Sequence, residues 1–173
     1  MQKKSQIDQL GKLKPQDVAH RVSAYTYGNI LALGALILTK PGQIAQGHTL
    51  TVLLATGLTT YLAHFLAESQ EHRLLHGKAL TGQDIIKALR NAVPIMSSTL
   101  LPALFIALGS WGFLAPPTAW FLAVTVLLLR LASMGFVVAR YQQQAASFRT
   151  LLGGILFASL GLVVALLKAL LTH

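Results

Sequence analysis

Trp120 to Arg140 reads "WFLAVTVLLLRLASMGFVVAR", and between its ends the only charged side chain is Arg130. A bilayer core is about 30 Å thick and takes about 20 apolar residues of helix to cross. The stretch is long enough and apolar enough to do so. It therefore reads as a membrane span with an arginine near its middle. At 1.5 Å per residue, Arg130 lies roughly 15 Å from the boundary that Arg140 marks.

Working outward, the same test finds four more runs. The spans predicted from the sequence are about 22–39, 49–69, 92–113, 118–140 and 150–171. The fold expected is an all-α, polytopic membrane helix bundle of five transmembrane helices. Residues 1–21 form a basic cytoplasmic segment and 22–173 the five-helix transmembrane domain. Composition agrees: 54% of the 173 residues are hydrophobic and 11% charged, where soluble domains carry roughly 25% charged residues. About 21 mostly polar residues precede the first run, which argues against a cleaved signal peptide.

Orientation follows from the basic residues. Lys3, Lys4, Lys12, Lys14, Arg21, Arg73, Lys78, Lys87, Arg90, Arg140 and Arg149 fall on one side of the predicted spans; only Lys40 and Lys168 fall on the other. The rich side is expected to be cytoplasmic, with the N-terminus inside and the C-terminus outside. All five acidic residues fall on the inner side as well. The net charge of +9 is dispersed over these inner loops, so no nucleic-acid partner is expected. With no cysteine, disulfides, thiolate metal sites and cysteine nucleophiles are excluded. There is no phosphate-binding glycine loop, serine elbow or HExxH motif. The loops are too short for a conventional soluble active site, and no enzyme is expected.

The inner segment 70–91 carries a capping-box spacing at Thr81 and Asp84, with Asp in place of the usual Glu. Ile85, Ile86 and Leu89 then make an apolar face, so a short interfacial helix should run into the third span. Pro94 and Pro102 lie in that span around Ser97, Ser98 and Thr99. Each proline leaves a carbonyl four residues earlier without its helical donor; for Pro102 this is the Ser98 carbonyl. Small residues recur along Gly154, Ala158, Gly161 and Ala165, along Gly28, Ala32 and Ala35, and along Ala132, Gly135 and Ala139. These faces suit close helix contact within the chain or in a homo-oligomer. Trp111 and Trp120 sit where aromatic anchors meet the outer interface.

The candidate chemistry lies in "YLAHFLAESQEHRLLHG", residues 61–77. Thr56, Thr60, His64, Glu68, His72 and His76 recur every four residues and form a slowly turning stripe on one helix. His64, Glu68 and His72 are the candidate ligands of a divalent metal, since imidazole and carboxylate suit zinc, iron or manganese. The other four spans contain no Asp or Glu, so ligands from a second helix are missing. Asn29, Thr60, His64, Glu68 and Arg130 are the candidate ion or proton pathway, because ionisable residues inside a membrane are functional candidates by default. Arg130 should meet an acceptor at its own depth: Tyr27, Asn29, His64, Glu68 or the Ser98 carbonyl. The function expected is cation or proton handling by a transporter or channel-like protein; the alternative is a structural or assembly subunit of a membrane complex.

At "RVSAYTYGNILALGALIL" (21–38), "AHFLAE" (63–68) and "VVALLKALLTH" (163–173) the chain resembles a group of short, uncharacterised multi-pass membrane proteins of high-GC, actinobacterial-type bacteria. That resemblance implies a bacterial inner (plasma) membrane location and no particular activity. A fainter similarity is to bacterial relatives of the lysosomal potassium channel, whose first span opens with Arg, three residues, then Phe-Ser-Asp. Arg21, Tyr25 and Thr26 keep this spacing, but Tyr27 stands in place of the Asp, and five spans replace six.

Overall fold

The computed structural model describes residues 15–141 and 147–171. Lys3, Lys4, Asp8, Lys12 and Lys14 of the basic N-terminal segment, and the side chains of Asp17 and Lys168, lie outside the described residues. The described chain is all-α. Six helices follow one another: α1 (Pro15–Ile37), α2 (His48–His76), α3 (Gly82–Ser110), α4 (Pro116–Ala132), α5 (Met134–Tyr141) and α6 (Phe148–Leu171), with a single 3-10 turn at Pro41–Gln43.

The helix ends follow local chemistry. Thr81 and Asp84 form the predicted capping box: the Thr81 amide donates to Asp84 Oδ2 at 2.9 Å, and the Asp84 amide donates to Thr81 Oγ1 at 3.4 Å. From there α3 runs unbroken to Ser110. The expected interfacial helix is thus its first turns, with Ile85 and Ile86 exposed. At the other boundary Gly77 adopts φ 63° and its amide donates to the Arg73 carbonyl, closing α2. Ser133 divides α4 from α5 while its hydroxyl donates to the Arg130 carbonyl at 2.7 Å.

Among the described residues four helices are long and apolar enough to cross a membrane: His48–His76, Gly82–Ser110, Pro116–Tyr141 (α4 and α5 together) and Phe148–Leu167. The first two have 29 residues each and overhang the predicted spans 49–69 and 92–113 at the end that carries Arg73 and Asp84. The predicted first span is the exception; α1 is not among the four. It packs against α2, α3, α4 and α6, and Ala24, Asn29, Ala32, Leu33, Ala35 and Leu36 are all buried. The run "SAYTYGN" is divided between these contacts and the surface: Ala24, Gly28 and Asn29 are buried, while Ser23 and Tyr27 are exposed. On α6, by contrast, Leu152, Leu156, Leu160, Val163, Leu167 and Leu170 are exposed, while Gly154, Ala158, Gly161 and Ala165 are buried and Leu162 packs against the core.

Those small residues are used within one chain. A Cβ on Gly28 would stand 2.5 Å from the Ser98 hydroxyl and 3.0 Å from Ile95 Cα, so α1 and α3 touch there. Gly154 lies against the Ala132 carbonyl and Gly135 against the Thr150 carbonyl. Ala158 and Ala165 join Leu33, Leu36, Leu127 and Leu131 in the main core. Trp120 does more than anchor an interface: its Nε1 donates to the Leu36 carbonyl at 3.0 Å, satisfying the end of α1. Trp111 remains exposed.

Candidate functional site

The polar side chains of the interior gather in two layers. The deeper one is built on Arg130 of α4. Its Nε donates to the Tyr25 hydroxyl at 2.5 Å and its Nη1 to the Ser97 carbonyl at 2.8 Å. The guanidinium carbon also lies 4.8 Å from the centre of the Tyr25 ring, within reach of a cation–π attraction. Arg130 therefore clamps α1, α3 and α4 without a carboxylate. None of the five acceptors expected for it is used. Tyr27 faces outward and is 54% exposed. The Ser98 carbonyl is displaced by its neighbour, and no hydrogen bond joins Arg130 to Asn29, His64 or Glu68 among the described residues.

Proline explains the choice of carbonyl. Ser97 lies five residues before Pro102, and Leu89, whose carbonyl accepts from Tyr61 Oη at 3.4 Å, lies five before Pro94. At each proline the helix loses one hydrogen bond and bends away from the ring. Each time, a side chain from a neighbouring helix meets the carbonyl next to the freed one, the kind of re-satisfaction a membrane interior demands.

The second layer lies towards the end of the bundle that carries Arg73 and Asp84. Arg21 Nε donates to Asn91 Oδ1 at 3.3 Å, and Asn91 Nδ2 donates to Glu68 Oε1 at 2.8 Å. A buried asparagine thus stands between the guanidinium of Arg21 on α1 and the carboxyl group of Glu68 on α2. Its two ends face opposite demands, which fixes the amide orientation. Two buried atoms next to this relay have no hydrogen-bond partner in the described chain: Glu68 Oε2 and His64 Nε2. They belong to consecutive turns of α2. Glu68 opens onto two cavities, of about 210 Å³ and 150 Å³, which share His72, His76 and Lys87.

At the mouth His72 Nε2 lies 3.8 Å from Asp84 Oδ2. The His72 and His76 rings stack with centroids 4.4 Å apart. Asp84 sits in the first turn of α3, outside the apolar part of the helix. The Thr81 hydroxyl, then the Thr81 amide, hold its carboxyl below the usual carboxylate range. A lowered value means the charge, and the cap it makes, is present above the ordinary carboxylate pKa and is lost only as pH falls through the lowered one.

The residues predicted from the sequence are thus divided. His64, Glu68 and His72 do not converge as metal ligands; among the described residues no three His, Asp or Glu side chains are grouped to hold an ion. The reason is geometric: each i+4 step turns about 40°, so Glu68 turns to Asn91 and His72 to Asp84. Thr60 returns its hydroxyl to the Thr56 carbonyl at 2.6 Å, as Thr56 does to Val52 at 2.7 Å. Asn29 is fully buried, donates to the Tyr25 carbonyl at 2.7 Å and leaves Oδ1 without a partner. It joins Arg130 through Tyr25 and not through α2.

What spacing could have found is the file Arg21, Tyr25, Asn29 on α1, at the same four-residue interval as the α2 stripe. Asn91 and the Ser97 carbonyl carry no such signal. They are sites only because α3 brings them between the other helices. Compared with protein-family models, curated proteins and solved structures, the chain matches none.

Proposed function

We propose that this chain is an integral protein of a bacterial plasma membrane that handles protons at its cytoplasmic mouth, with Glu68 and His64 as the exchanging groups. In this reading α1 crosses as a fifth span, the N-terminus lies in the cytoplasm and the C-terminus outside, as the eleven-to-two distribution of basic residues supports. One observation carries the proton reading: Glu68 Oε2 and His64 Nε2 are buried, one helical turn apart, and neither has a hydrogen-bond partner among the described residues. Native structures rarely leave such groups unsatisfied, and exceptions point to catalysis, water or an ion. A carboxylate oxygen takes a proton from the mouth, and an imidazole nitrogen one turn deeper accepts it next. Fixed cations at Arg21 and Arg130 repel metal cations from the same interior, which favours proton exchange over cation flux.

The experiment is proton flux into proteoliposomes loaded with a pH-sensitive dye, with wild type, Glu68→Gln and His64→Ala. Wild type should collapse an imposed pH gradient, and both variants should fall to the rate of empty vesicles. A second reading, a structural or assembly subunit of a membrane complex without transport of its own, is favoured by the Arg130 clamp. Arg130 already finds its acceptors within the protein. Flux no faster than that of empty vesicles in all three proteins, with a lower melting temperature in the variants, would establish that second reading.

A further inference from the structure

Between α1, α5 and α6 lies a cavity of about 660 Å³ that neither polar layer reaches. We propose that it binds one anionic phospholipid, an acyl chain in the seam and the phosphate on Arg149. The volume is within the roughly 300–1,000 Å³ typical of ligand sites. Its walls change character along α6. Arg149 and Thr150 stand at one end, while Val22, Met134, Val138 and Phe157 line it with apolar surface. From Arg149 to Phe157 the helix rises about 12 Å, so the charged end lies at headgroup level when the apolar end lies among acyl chains. Two glycines keep the seam open. Gly135 lies against the Thr150 carbonyl, which makes the floor a backbone contact, while a Cβ on Gly153 would meet nothing within 4 Å.

Charge selects the lipid. Arg149 is exposed at the mouth, and no acidic side chain among those described forms an ion pair with it; the described carboxylates Glu68, Glu71 and Asp84 belong to α2 and α3. Arg140 lies exposed in the last turn of α5, at the same end. Basic pockets between membrane helices on the cytoplasmic side recognise anionic headgroups, and one arginine near such a surface changes affinity about fivefold. The site uses no residue of the proton reading, so each can fail without the other.

Native mass spectrometry of the full chain in detergent tests it, with phosphatidylglycerol and phosphatidylcholine as probes. One phosphatidylglycerol should remain per chain in preference to phosphatidylcholine. Arg149→Ala should weaken retention about fivefold and Arg149→Lys largely restore it. Gly153→Leu, which fills open space without touching the backbone, should abolish retention while thermal stability stays near wild type. Equal retention of both lipids, or of phosphatidylglycerol by Gly153→Leu, overturns the proposal. So does a dimer in the wild type that Gly153→Leu dissociates, since a second copy would then own the seam.

Discussion

At Arg130 the guanidinium meets a phenol oxygen and a backbone carbonyl, and no carboxylate. Placing an arginine at the middle of a membrane helix costs about 2.5–3.5 kcal/mol on insertion scales. Neutral acceptors offset only part of that. Arg130→Met, which removes the charge and keeps the bulk, is therefore expected to melt within about 1 kcal/mol of wild type. Arg130→Lys keeps the charge but cannot span Tyr25 and Ser97 together, and should lose about 1–3 kcal/mol. Thermal unfolding in detergent decides between them; a less stable Met variant would mean the clamp outweighs the cost of the charge. Asn91 poses the opposite case. Asn91→Leu strands Glu68 Oε1 beside the already unpartnered Oε2, with an expected loss of about 1–3 kcal/mol. Adding Glu68→Leu should return much of it, because the stranded carboxyl is then gone and only the half-buried Arg21 Nε has lost its acceptor. An additive double variant would show that Asn91 and Glu68 act separately.

Among the elements, α6 gives the sharpest contrast, because Gly153 and Gly154 are neighbours with opposite surroundings. Gly154 lies on the Ala132 carbonyl; Gly153 faces open space. Gly154→Ala should cost about 1–3 kcal/mol, because backbone must move to admit the methyl group. Gly153→Ala should be neutral or gain up to about 1 kcal/mol from helix propensity. A chemical or thermal melt of the two variants side by side is the check, and equal effects would contradict the α4–α6 contact. The spacing of Gly154, Ala158, Gly161 and Ala165 singled out the correct glycine. It left open whether the face packs within the chain or against a second copy, because packing within the membrane obeys the same steric rule in both cases. The prolines of α3 were equally visible, and the need for outside donors followed from them. Which carbonyl would take the donor did not follow, since it depends on how far the helix opens and where Arg130 and Tyr61 can reach.

For the whole molecule, the lack of cysteine makes topology directly measurable. Gln46 and Ala79 are both exposed, in the turn before α2 and the turn after it. With a membrane-impermeant maleimide on intact cells, Gln46→Cys should label at once and Ala79→Cys only after lysis. The reverse pattern would invert the proposed orientation, and labelling of both from one side would remove a span.

Two kinds of information separate here. Hydropathy and length determined the helical class and four apolar helices of membrane-spanning length, because lipid imposes its requirement on each segment one at a time, and the Thr81–Asp84 spacing determined the capped start of α3. The break between α4 and α5 and the overhang of α2 and α3 escaped, since they are set where apolar chain meets water or a hydroxyl. The stripe on α2 was legible as far as its spacing, but only tertiary structure decided its partners. Thr56 and Thr60 turn back on their own helix, Glu68 finds Asn91, and His64 finds no partner among the described residues. Likewise α1 is not among the four apolar helices, and only the tertiary structure shows that Asn29, at the end of its polar run, is buried between its neighbours. A sequence records how much polarity a helix carries; whether that polarity is tolerated depends on which neighbours stand between it and the lipid.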